Sequence, residues 1–161
     1  MRLVAVWYLL ISFTLFACSP EQEPNNSEPE WLFVHTADSA QVLNKTTVLM
    51  PLSRDIFAFT DRPNRKHMYL NGEQFVSLWS EDSANSFKSD PPNAVLTWVE
   101  GDEIREVEVI ITHAKFDSNQ ITYIIKDIEV ESIDLINVSL FIDPYKLIAN
   151  KMSSYYYSNE K

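Results

Sequence analysis

Asp61-Arg62-Pro63-Asn64-Arg65-Lys66-His67 places an acid, three cations and an imidazole within seven residues, and Asp90-Pro91-Pro92-Asn93 sets a second acid and an amide around a stiff diproline. Guanidinium groups grip carboxylates and other anions in a bidentate fork, whereas short acidic side chains accept neighbouring backbone N–H groups in Asx turns. Two readings follow. In the first, Asp61 and Asp90 organise turns and Arg62 or Arg65 pairs with an acid such as Asp90, forming a polar clasp that closes a sheet around a helix. In the second, Asp61, Arg62, Arg65, His67, Asp90 and Asn93 line a site for a small anionic or mixed-charge ligand between the two loops, since loops commonly carry function.

Other chemistries find less support. The histidines, His35, His67 and His113, are far apart and have no His-x₃-His or His-Glu-x-x-His spacing, and no calcium-loop pattern occurs, so no metal centre is expected. Gly72 and Gly101 are the two glycines of the chain. That excludes phosphate-cradling loops, dinucleotide fingerprints and nucleophile elbows, which need glycine at fixed positions, and no cofactor is expected. Ser77 and Ser80 lack such a setting. Glu106 and Glu108 fall on one strand face about 7 Å apart, without the burial a general acid needs. A hydrolase would require two acids converging in a cleft; no catalytic motif is present, and the chain reads as a non-enzyme.

The one cysteine, Cys18, closes an apolar stretch, Leu3–Phe16, that follows Arg2. The stretch is shorter than the roughly 20 residues a membrane span needs and has the layout of a signal peptide. Leu15-Phe16-Ala17-Cys18 resembles the lipobox of bacterial lipoproteins. The resemblance implies cleavage after residue 17, acylation of Cys18 and a membrane anchor, which two or more chains make firm. Ser19 after the cysteine implies the periplasmic face of the outer membrane. An ordinary secretory signal with an incidental cysteine is the other reading. Residues 19–30, SPEQEPNNSEPE, hold four glutamates and three prolines. They read as an extended spacer of up to roughly 35 Å.

The formal net charge is −10, and loss of Arg2 with the signal peptide makes it one unit more negative. Nucleic acid and anionic headgroups would both repel such a chain. With Cys18 lipidated, no disulfide supports the fold, and residues 31–145 must form one domain around an apolar core.

Strands are expected at Trp31–His35, Thr46–Met50 and Ile56–Thr60, the last ended by the Asp61–Asn64 turn. Asn71 and Gln74 make a capping box, with Leu70 and Phe75 as the hydrophobic staple, for one short helix near 72–80 presenting Phe75, Leu78 and Trp79. Strands follow at Ala94–Val99, Ile104–Phe116, Ile121–Ile128 and Ile133–Ile142, with Val107, Val109, Ile111 and His113 on one face of the second. These last three strands read as a C-terminal antiparallel meander. The 146–161 tail reads as frayed or loosely packed. The fold class is therefore mainly β: an antiparallel sheet domain, either a sandwich or a half-open barrel.

Phe59-x-Asp61-Arg62-Pro63-x-Arg65, Phe75-Val76-x-x-Trp79 and Asp90-Pro91-Pro92-Asn93-Ala94 together resemble a family of small secreted bacterial proteins, over roughly residues 56–98. The resemblance implies that these segments form one unit, and no activity. The expected function is a lipid-anchored envelope protein whose β domain binds or buttresses another envelope component. The alternative is a small-ligand or ion-binding lipoprotein with its site between loops 61–67 and 90–93.

Overall fold

The computed structural model describes residues 29–80, 86–126, 128–130, 133–145 and 149–159. Cys18, the signal segment and most of the spacer lie outside the described residues.

Alternation drives the architecture. In β1 (Trp31–Asn44), Trp31, Phe33, His35 and Ala37 point inward while Leu32, Val34 and Thr36 are half-buried on the other face. The same period of two runs through β2 (Thr47–Pro51), β3 (Ile56–Thr60), β4 (His67–Leu70), β5 (Asn93–Glu100), β6 (Glu103–Asp117) and β7 (Gln120–Ile125), as a sheet with one buried face requires. β8 (Asp134–Tyr145) completes one antiparallel sheet in the order β2-β7-β6-β5-β8-β1-β3-β4. The C-terminal part of β1 also pairs with β2, so six strands close on themselves, and β3–β4 branch from the N-terminal part of β1.

The meander lies one strand earlier than the sequence suggests. It runs β5-β6-β7, whereas β8 inserts between β5 and β1 through pairs such as Val95↔Phe141 and Val34↔Phe141. β4, at His67–Leu70, is an additional strand beside β3. In β6 a register irregularity between Ile111 and His113 reverses the alternation, so Val109 and Ile111 are buried but His113 is exposed and Ala114 takes the inward place. One extra residue is enough to turn a side chain to the opposite face.

The expected helix forms as α1 (Gly72–Val76), continued by a 3₁₀ turn at Ser77–Trp79. The Asn71 side chain accepts the Gln74 N–H, and the Gln74 side chain accepts the Asn71 N–H. α1 touches both β4 and β6. Gly72 lies so close to Phe116 that an added Cβ would sit 2.4 Å from its ring. Phe75, Leu78, Trp79 and Phe87 are buried, and Phe75 and Phe87 pack on Phe33 with ring centroids 5.8 and 5.9 Å apart. Trp79 Nε1–H donates to the Ile111 carbonyl at 3.2 Å, next to the β6 irregularity.

The tail does dock. Residues 149–159 form α2 (Ala149–Asn159), where Met152 is fully buried and the Tyr155 hydroxyl meets Ser77 Oγ at 2.9 Å. Among the described residues no helix is long and apolar enough to cross a membrane.

Candidate functional site

The Asp61–His67 loop is held by its own backbone. Asp61 Oδ1 accepts the Arg62 N–H, the Asp61 carbonyl accepts Arg65 N–H at 3.2 Å, and Thr60 Oγ1 accepts Lys66 N–H at 2.8 Å. Asp61 thus fixes the start of the loop, but not as an Asx turn: its carboxylate accepts the next N–H, and Pro63, two residues on, has none to give. Arg62 and Arg65 are exposed and form no ion pair among the described residues, so the Arg–Asp90 pairing of the clasp is not made. Asp90 is likewise exposed, and its backbone N–H reaches the Ser86 carbonyl at 3.2 Å.

His67 opens β4 and Asn93 opens β5, with β3, β1 and β8 between them. Four strand spacings of about 4.8 Å separate the two positions by roughly 19 Å along the sheet. The two loops therefore stand on one rim but do not converge on a shared small-ligand pocket. Nor do the histidines gather: His35 is interior, while His67 and His113 are exposed on separate strands.

The register assembles something the local sequence does not announce. Tyr69↔Phe57, Phe57↔Val34, Val34↔Phe141 and Phe141↔Val95 are direct cross-strand partners, forming an apolar row over five strands on the outer face. Tyr69 is 57% and Phe141 46% exposed. Phe59 stacks on Phe57 at 5.6 Å, and Tyr69 meets Phe57 at 5.3 Å. The row ends at Glu108, the partner of Val95. Beside that end lies an open groove of about 400 Å³ lined by Asn93, Val95, Glu108, Ile110, Lys126 and Asp143.

Among the described residues the interior space is far smaller. Between Val48, Leu96, Val109, Tyr123, Ile125 and Leu140 there is a void of about 10 Å³, no larger than a water molecule requires. His35 and Tyr123 are titratable groups buried in the interior. The His35 Nε2 is 3.1 Å from the Pro51 carbonyl, which can only accept, so Nε2 carries the proton. Nδ1 is then the acceptor for the Tyr123 hydroxyl at 2.8 Å. Burial lowers the His35 pKa to about 4, against a smaller upward pull from the Pro51 carbonyl, and burial pushes the Tyr123 phenol well above its usual value. A neutral imidazole and a neutral phenol thus cross-link β1 to β7 and to the end of β2. Their inward placement follows from the period-two pattern Trp31, Phe33, His35.

The serine hydroxyls serve the chain ends of the helical segment. Ser77 Oγ donates to the Gln74 carbonyl at 2.6 Å and Ser80 Oγ to the Ser77 carbonyl at 2.8 Å. Glu106 and Glu108 are exposed on the outer face. Comparison with known family models, with curated proteins and with solved structures finds no match to this chain.

Proposed function

We propose that the chain is a non-enzymatic lipoprotein of the bacterial envelope, anchored through acylated Cys18 on the periplasmic face of the outer membrane, whose β domain binds or buttresses another envelope protein. The observation that carries the binding part is the Tyr69–Phe57–Val34–Phe141–Val95 row. Outward positions of a sheet with one wet face are ordinarily polar, and contiguous apolar surface marks sites of association. A filled barrel interior supports recognition on the outer surface over carriage of a ligand inside. The anchor rests on the Leu15–Cys18 sequence and the acidic spacer behind it.

The test is photo-crosslinking in the native envelope, with the reactive residue at Phe57 or Phe141 of the full chain and at exposed Lys115 as a control. The expected result is one common partner captured from both row positions and absent from the control, together with release of a Cys18→Ser variant from the membrane fraction. No capture from either row position would overturn the binding reading, and undiminished membrane retention of Cys18→Ser would overturn the anchor.

A further inference from the structure

We propose that the outer groove at the β5–β6–β8 junction binds a small zwitterion, a free amino acid or short peptide, with its ammonium toward Glu108 and Asp143 and its carboxylate toward Lys126 and the Asn93 amide. The site does not depend on the partner-binding reading. It draws on three strands and the segment after β7, which the pairing of β8 against β5 brings together.

The groove's volume of about 400 Å³ lies within the range of small-molecule sites. Its side chains are of both charge signs, yet Lys126, Glu108 and Asp143 make no ion pair or side-chain hydrogen bond among the described residues. Arg105, at the β5–β6 tip, shows the contrast: it pairs with Glu100 and Glu103 at 3.1 Å each. In the groove, opposite charges share one space without neutralising each other, so a ligand carrying both charges can bridge them.

The groups stand on fixed backbone. The Pro92 carbonyl accepts the Ile111 N–H at 3.0 Å, which sets Asn93 at the edge, and the Lys126 N–H donates to the Ile110 carbonyl at 2.9 Å. Val95 and Ile110 supply an apolar floor for a short side chain. The alternatives fit less well. A plain anion would face two carboxylates on a chain of net charge −10, and a plain cation would face Lys126. A zwitterion meets every charged group with its complement.

The probe is L-alanyl-L-leucine, titrated calorimetrically into the full-length protein in detergent alongside its N-acetyl and C-terminal amide forms. Binding is expected to weaken by about tenfold when either end is blocked. In a Lys126→Met variant the free acid and the amide should bind alike. In a Glu108→Gln, Asp143→Asn variant the free and N-acetylated forms should bind alike. All three side chains are exposed, so these variants keep the fold. Equal affinity of the blocked and free forms for the native protein, or no binding up to about 10 mM dipeptide, would overturn the proposal. Crosslinking from Phe57 on β3, two strands from β8 and three from β5, reads the partner face separately from this site.

Discussion

Two neighbouring rows of the same sheet contrast in what they touch. The inward row, Met68–Ala58–Phe33–Ile142–Ala94–Val109, is buried along its whole length. The adjacent outward row, Tyr69–Phe57–Val34–Phe141–Val95–Glu108, is nearly as apolar but remains partly open to solvent. Each residue of one row is the chain neighbour of a residue in the other, so local composition cannot distinguish them. The pleat assigns one row to stability, and it leaves the other available for recognition.

The largest effect that would break this contrast comes from matched truncations. Phe33→Ala removes a fully buried ring that packs against Phe75 and Phe87, and should cost about 3–5 kcal/mol in denaturant unfolding. Phe57→Ala loses partly exposed stacking with Phe59 and Tyr69 and should cost about 1 kcal/mol. Comparable losses at both positions would show that the outer row is structural.

The interior row beside Phe33 also holds His35, whose titration offers a second contrast. Burial depresses its pKa from 6.5 to about 4, so below pH 6.5 the unfolded chain binds a proton that the folded chain refuses. Its contribution to stability is complete above pH 6.5 and declines as pH falls through 4. Between pH 7.5 and 4.5 this amounts to about 2–3 kcal/mol. Comparison with His35→Gln isolates the effect from ordinary carboxylate titration: the variant is expected to be less stable at pH 7.5 but to lose less on acidification. An equal loss in both proteins would remove His35 as the sensitive interior group.

Much of the fold is legible locally because its signals are local. Alternation marks most of the strands, the Asn71–Gln74 box marks α1, and turns fall where Gly101 has φ 64° and where Ser118 and Asn119 have φ 49° and 60°. Features that depend on remote partners are not legible in this way. The insertion of β8 between β5 and β1 carries no local mark, and the irregularity in β6 that turns His113 outward interrupts an otherwise regular pattern. Phe87 sits in a polar stretch yet fills a core position, and the tyrosine-rich tail forms α2 with Met152 buried and Tyr155 bonded to Ser77, partners the local sequence does not mark. Of the groove, Asn93 is foreseeable as a loop residue beside Pro91-Pro92. Glu108, Lys126 and Asp143 join it only once the strand order is known.

The smallest expected effect concerns the motif with the most conspicuous chemistry. Arg62 and Arg65 crowd one loop, but the hydrogen bonds that hold that loop run through Asp61, Thr60 and the backbone, with neither guanidinium in an ion pair among the described residues. Exposed cations without a partner contribute little, so Arg62→Ala, Arg65→Ala and the double variant should each change unfolding stability by no more than about 0.5 kcal/mol. The row's Phe57 and Tyr69 stand on the two strands this loop joins, but the loop is held by Asp61, Thr60 and the backbone, so crosslinking and dipeptide binding should also be unchanged. A loss above about 1.5 kcal/mol in the double variant would restore the clasp. A loss of crosslinking at unchanged stability would extend the recognition face from the outer row onto this rim, where the charges of Arg62 and Arg65 would then select the partner.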